Sequence, residues 1–203
     1  MFDNVMALRK STSRLLVALL LPGVAVAHTG GEVHSFVAGV MHPLGGMDHL
    51  MAMLAVGLLA GCAGGWMRWA LPATFVAAMA MGAVLGANGI ETPLVEVGIA
   101  FSLVAFGAAL VTQRALSAPL MIVFTAGFAM FHGHAHGTEM GAGLAALPYA
   151  MGFMIATALL HAKGVLLTTS NLLSLKQLTL RKWSGGAIAA AGIASFCVTI
   201  VSA

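Results

Sequence analysis

The stretch His42-Pro43-Leu44-Gly45-Gly46-Met47-Asp48-His49 lies within a long apolar run from residue 35 to residue 62. Two imidazoles and a carboxylate are costly to hold in hydrocarbon, so their presence there marks a functional site inside a membrane segment. The same octet places a proline and two glycines within four residues. Proline removes a backbone donor and crowds the preceding turn, so this first span is expected to break near Pro43 to Gly46. A broken helix frees backbone carbonyls beside the ionisable groups and allows a cavity at membrane depth.

The rest of the chain fits that reading. Hydrophobic residues make up 60% of the sequence and charged residues only 7%, with a mean hydropathy of +1.00. This is the composition of an all-α integral membrane protein, and it leaves almost no residues for a soluble domain. At roughly 20 apolar residues per crossing, the chain has room for about six spans. They are expected at 35–62, 66–87, 92–113, 118–136, 142–167 and 184–203.

Ahead of them, Arg9, Lys10 and Arg14 precede the apolar Leu15 to Leu21, then Pro22-Gly23 and Ala25-Val26-Ala27. That is the pattern of a signal peptide over residues 1–27, with cleavage expected before His28. Residues 28–203 then form one six-span transmembrane domain, with its N-terminus and C-terminus on the outside. In that topology Arg68, Arg114 and the group from Lys163 through Lys176, Arg181 and Lys182 fall inside, as the positive-inside rule requires. The sequence pI near 9.2 is thereby explained by topology in a lipid bilayer. No basic patch remains for a nucleic-acid partner.

A second polar cluster, Phe131-His132-Gly133-His134-Ala135-His136-Gly137-Thr138-Glu139, closes the fourth apolar run. On a helix, His132, His136 and Glu139 occur at i, i+4 and i+7 and share a stripe, while His134 points elsewhere. Likewise His42 and His49, seven apart, would share a face of an unbroken helix, with Asp48 turned about 100° from His49. A lone histidine on an apolar helix is ordinarily a packing residue. Here every histidine except His161 falls in residues 28–49 or 132–136, with carboxylates alongside.

Nitrogen and oxygen ligands without thiolate suit Ni²⁺, Co²⁺ or Zn²⁺. Cys62 and Cys197 lie in different apolar segments, and no C-x-x-C or comparable thiolate pair is present in the sequence. Met47, Met51 and Met53 near His49 would suit Cu(I), but methionines are scattered through all the spans. Asp48 together with Glu139 or Glu96 can neutralise one divalent ion, which lowers the cost of holding it away from water. A path is expected in which His28, Glu32 and His34 capture the ion and the two motifs bind it. His161 then hands it inward, or else makes only a helix-end hydrogen bond. Glu96 is expected to be a supporting or proton-linked group.

The H-P-x-x-G-x-D-H segment at His42 to His49, the F-H-G-x-A-H-G-x-E segment at Phe131 to Glu139, and the His-led mature start resemble the HupE/UreJ family. The resemblance covers nearly the whole chain. It implies a secondary transporter or permease that imports Ni²⁺ across the bacterial cytoplasmic (inner) membrane for hydrogenase or urease maturation, and it leaves Co²⁺ open as a second substrate. It assigns metal ligation to His42, Asp48, His49, His132, His136 and Glu139, and leaves His134 at a variable position of the pattern. It implies no prosthetic group and leaves the oligomeric state open.

Two other classes share these ligands. An intramembrane zinc hydrolase would use the histidines to activate water, although no H-E-x-x-H is present. A metal-sensing membrane protein would bind without transport, although the sequence offers no soluble domain to carry a signal. No G-x-x-x-x-G-K-[ST] segment is present for ATP. A divalent ion entering a cell at roughly 100 mV, inside negative, gains about 4.6 kcal/mol from the potential alone.

Overall fold

A computed structural model of the chain describes residues 35–112, 116–140, 146–169 and 177–202. The signal-peptide reading and the ion-capturing roles given to His28, Glu32 and His34 lie outside these residues. Among the described residues the chain is entirely helical: α1 (Phe36–Gly45), α2 (Met47–Ala63), α3 (Met67–Ala87), α4 (Val95–Thr112), α5 (Ala118–Met140), α6 (Leu147–Thr169) and α7 (Gln177–Ser202). Helices α3 to α7 are each long and apolar enough to cross a membrane, and α1 and α2 together pass the same test as a sharply bent pair.

The expected break is present. Ser35 caps α1 by accepting the Ala38 amide at 3.0 Å. Pro43 is accommodated within α1, and the chain leaves the helix at Gly46, whose φ of −95° and ψ of 113° are extended. The axes of α1 and α2 then meet at 85°. At 10 residues, α1 is about 15 Å long, too short to cross the hydrocarbon by itself.

Two boundaries depart from the sequence reading. The glycine-rich second motif, expected to end its span at 136, is helical throughout, and α5 runs on to Met140. Packing supplies what helix propensity lacks, because Gly133 and Gly137 bring α5 into backbone contact with Met79 and Ala83 of α3. Helix α7 begins at Gln177 rather than near 184. Its basic Arg181 and Lys182 extend the helix, which satisfies backbone groups at the membrane edge where a loop would leave them open.

Small residues decide how the spans pair. Any Cβ on Gly57 would overlap the His161 carbonyl, and one on Gly61 the Thr168 hydroxyl, so α2 and α6 lie backbone to backbone. Gly82 and Gly86 meet Met130 and His134 in the same way, joining α3 to α5. Gly107 meets Gly185 and Ala189, and Gly192 meets Ala100, joining α4 to α7. Residue numbers rise together across the first two pairs and in opposition across the third. The first two pairs are therefore parallel and the third antiparallel, the pattern that six alternating crossings would give. Where lipid provides no hydrophobic drive between helices, this close approach is what holds them.

Candidate metal centre

The bend at Gly46 is what builds the site. It turns α1 across α6 so that the His42 ring packs on Tyr149 and Phe153 at 5.7 and 5.9 Å. His49 in turn sits at the start of α2, facing α5. Between them stands His136 of α5, with ring centroids 4.7 Å from His42 and 4.2 Å from His49. His42 and His49 therefore converge on His136 across the bend, and not along one face of an unbroken helix as their spacing suggests. His132, one turn before His136, meets His49 at 4.9 Å.

The carboxylates take different places. Glu139 Oε2 lies 3.6 Å from His42 Nε2 and 3.5 Å from His136 Nδ1. One ligand atom from each of His42, His136 and Glu139 falls within 4.8 Å of the others. Small rotamer changes would close that spread onto one transition-metal ion, whose bonds to nitrogen are about 2.0 to 2.1 Å. Glu139 is open to solvent and His136 is buried, so the triad spans the boundary between water and protein. A cavity of about 450 Å³ lined by His136, Met140, Tyr149 and Phe153 reaches it from between α3 and α6.

Asp48 turns to His49 instead. Its Oδ1 accepts from the His49 ring Nδ1 and from the His49 backbone amide, both at 2.8 Å. Nδ1 must carry the proton in that bond, which leaves the Nε2 of His49, buried and without a partner among the described residues, as a bare lone pair. A carboxylate that fixes a histidine in this way is a recurrent support of metal ligands.

Ser102 of α4 does the same for His132. The Ser102 hydroxyl donates to the Ile99 carbonyl at 2.6 Å, so at 2.9 Å from His132 Nε2 its oxygen accepts. His132 Nδ1 is then the bare nitrogen, buried and without a partner among the described residues. The sequence reading missed Ser102; the available signal was a hydroxyl residue within an otherwise apolar run of α4. It also missed Phe75, Tyr149 and Phe153, whose rings frame the histidines and which nothing in an apolar sequence distinguishes from core.

The remaining candidates separate. His134 points away from the cluster and donates through Nε2 to the Ile90 carbonyl at 2.7 Å. That carbonyl is presented by the turn closing α3, where Gly89 adopts φ 72° and the Ile90 amide bonds back to Leu85. Helix capping of this form uses glycine because a left-handed residue is required. His134 thus anchors a connection and stands apart from the ligands. Glu96 is exposed in the first turn of α4, and among the described residues no ion pair ties it to the cluster. His161 is buried farther down α6, on the far side of Phe75.

The model of the HupE / UreJ protein family matches residues 16–195. The chain belongs to the HupE/UreJ family. It is also 39% identical to Protein HupE of Rhizobium leguminosarum bv. viciae over 179 residues, covering 88% of this chain and 93% of that protein. No solved structure matches. In this chain the two motifs that carried the resemblance are folded against one another.

Proposed function

We propose that this HupE/UreJ protein is a permease that imports Ni²⁺ across the bacterial cytoplasmic membrane, with His42, His136 and Glu139 as the first ligands and His49 and His132 as the next. The observation that carries the reading is the convergence of two remote motifs on one ring, His136, at the solvent boundary of an otherwise apolar bundle. Imidazole nitrogens with one carboxylate are the donors expected for Ni²⁺, and they also accept Co²⁺. Asp48, held against His49, supplies a second negative charge near the ion. The ion is then neutralised where its hydration shell is removed.

Charge placement supports the direction. Asp48, Glu91, Glu96 and Glu139 lie at the end of the bundle that holds the bend. Arg68, Lys163, Arg181 and Lys182 lie toward the other. By the positive-inside rule the metal centre faces outward and the basic end faces the cytoplasm. The hydrolase reading is weaker because both carboxylates near the histidines are engaged with imidazoles, and neither stands ready as a general base.

Uptake of radioactive Ni²⁺ at nanomolar concentration, in cells lacking other nickel importers, tests the proposal. Saturable uptake that is lost in His49→Ala and His136→Ala, at normal protein levels, is the expected result. Uptake no higher than in empty-vector cells would sink nickel import. Tight Ni²⁺ binding without uptake would favour a sensor.

A further inference from the structure

The imidazoles do not stop at the metal centre. Ring follows ring from the water boundary into the bundle: His42 to His136 at 4.7 Å, His136 to His49 at 4.2 Å, His49 to His132 at 4.9 Å. Then Phe75 packs on His132 at 5.8 Å, and His161 on Phe75 at 5.0 Å. The His42 side chain is 37% exposed, whereas His132, Phe75 and His161 are at most 1% exposed. One hydrocarbon ring therefore interrupts a row of nitrogen ligands.

His161 lies about two turns from the nearer end of α6, so a helix-end hydrogen bond does not account for it. Both of its ring nitrogens are buried and have no hydrogen-bond partner among the described residues. Burying an imidazole without partners is unfavourable, so the pair of unpartnered nitrogens on His161 calls for an explanation, of which a metal ion is one. The surroundings offer two more donors. One turn earlier on the same face of α6, the buried Thr157 hydroxyl donates to the Met53 thioether of α2 at 3.3 Å. Gly57 brings the α2 backbone against the His161 carbonyl, which puts the helix bearing Met53 alongside.

We propose that His161, with the Met53 sulfur and the Thr157 hydroxyl, forms a second, inner station for the transported ion, closed off from the outer histidines by the Phe75 ring. The proposal rests on the import reading. The two stations differ in charge, and the difference serves transit. The outer centre has carboxylates and holds the ion while it loses water. The inner set is uncharged, so it binds weakly and releases toward the cytoplasm. Conduction needs sites strong enough to enter and weak enough to leave. Displacement of the Phe75 ring connects them.

His161→Phe is the discriminating variant, since it keeps a flat ring of similar size and removes only the nitrogens. If His161 merely packs, this change raises thermal stability and leaves transport alone. The full chain in proteoliposomes, with Ni²⁺ as the probe, is expected to show uptake reduced at least tenfold with an undiminished melting temperature. Equilibrium dialysis at saturating Ni²⁺ is expected to show about one ion fewer per chain than wild type. Equal ion counts, or uptake at the wild-type rate, overturns the station. Should wild type show no uptake, the import reading fails by itself, and the dialysis count still decides the station. If His161→Phe does not insert, Met53→Leu, which conserves volume and removes the sulfur, is read by the same two measurements and the same criteria.

Discussion

An imidazole binds a metal only through a nitrogen that carries no proton, so which nitrogen is protonated matters as much as which residue is present. In this protein the choice is made by neighbours: Asp48 takes the Nδ1 proton of His49 into a hydrogen bond, and Ser102 takes the Nε2 proton of His132. Removing such support typically costs about 10- to 100-fold in metal affinity. Ser102→Ala is therefore expected to weaken Ni²⁺ binding by about that factor in equilibrium dialysis without loss of folded protein. Asp48→Ala is expected to weaken it at least as much, because it also removes charge. A Ser102→Ala protein that binds as wild type would show that His132 lies outside the ligand set. The histidines and carboxylates were legible in the sequence, since polar residues stand out in apolar runs. Their division into ligand and support was not, because the partners of Asp48 and Ser102 depend on rotamers and on a contact between α4 and α5.

At the scale of helices, the bend and the glycine contacts do the positioning. A Cβ at Gly46 would crowd Asp48 Oδ1 at 3.0 Å and His49 Nδ1 at 3.2 Å. Gly46→Ala is thus expected to disturb the pair that orients His49, lowering Ni²⁺ affinity while the helices still form. Along α5, Gly133 and Gly127 make a matched comparison. A methyl at Gly133 would overlap the Met79 carbonyl, whereas at Gly127 it meets nothing within 4 Å. Overpacking costs about 1 to 3 kcal/mol, and replacing an open helical glycine by alanine gains up to about 1 kcal/mol. Gly133→Ala should accordingly lower the thermal unfolding midpoint and Gly127→Ala should raise it or leave it unchanged, as measured in detergent. The break near Pro43 to Gly46 was legible from proline and glycine chemistry. The shared stripe of His132, His136 and Glu139 was legible from helical spacing, but the end of the helix at Met140 rather than near 136 was not, because glycine disfavours helix locally and the contact with α3 offsets that preference.

For the whole molecule, the three principal helix pairs keep their pattern when the first three spans are exchanged with the last three. The bent first span pairs with the fifth, the second with the fourth, and the third with the sixth. The sequence shows no residue-level repeat to match, and the histidines do not follow the exchange: His161 of α6 has no counterpart on α3. If import is driven by the membrane potential, a potential of 100 mV is worth about 4.6 kcal/mol for a divalent ion. Proteoliposomes given an inside-negative potassium diffusion potential should then accumulate Ni²⁺, and dissipating the potential should abolish the accumulation; accumulation that follows an imposed proton gradient instead would contradict this. The sequence by itself determined the membrane class, the helical architecture, the broken first span and the residue types of the site, because hydropathy, proline and the expense of polar groups in lipid act locally. Only the tertiary structure decided that His42 and His49 meet on His136 across an 85° bend, that His134 anchors a turn, and that His161 stands behind Phe75. These are relations between helices remote in sequence, fixed by which glycines allow which backbones to touch.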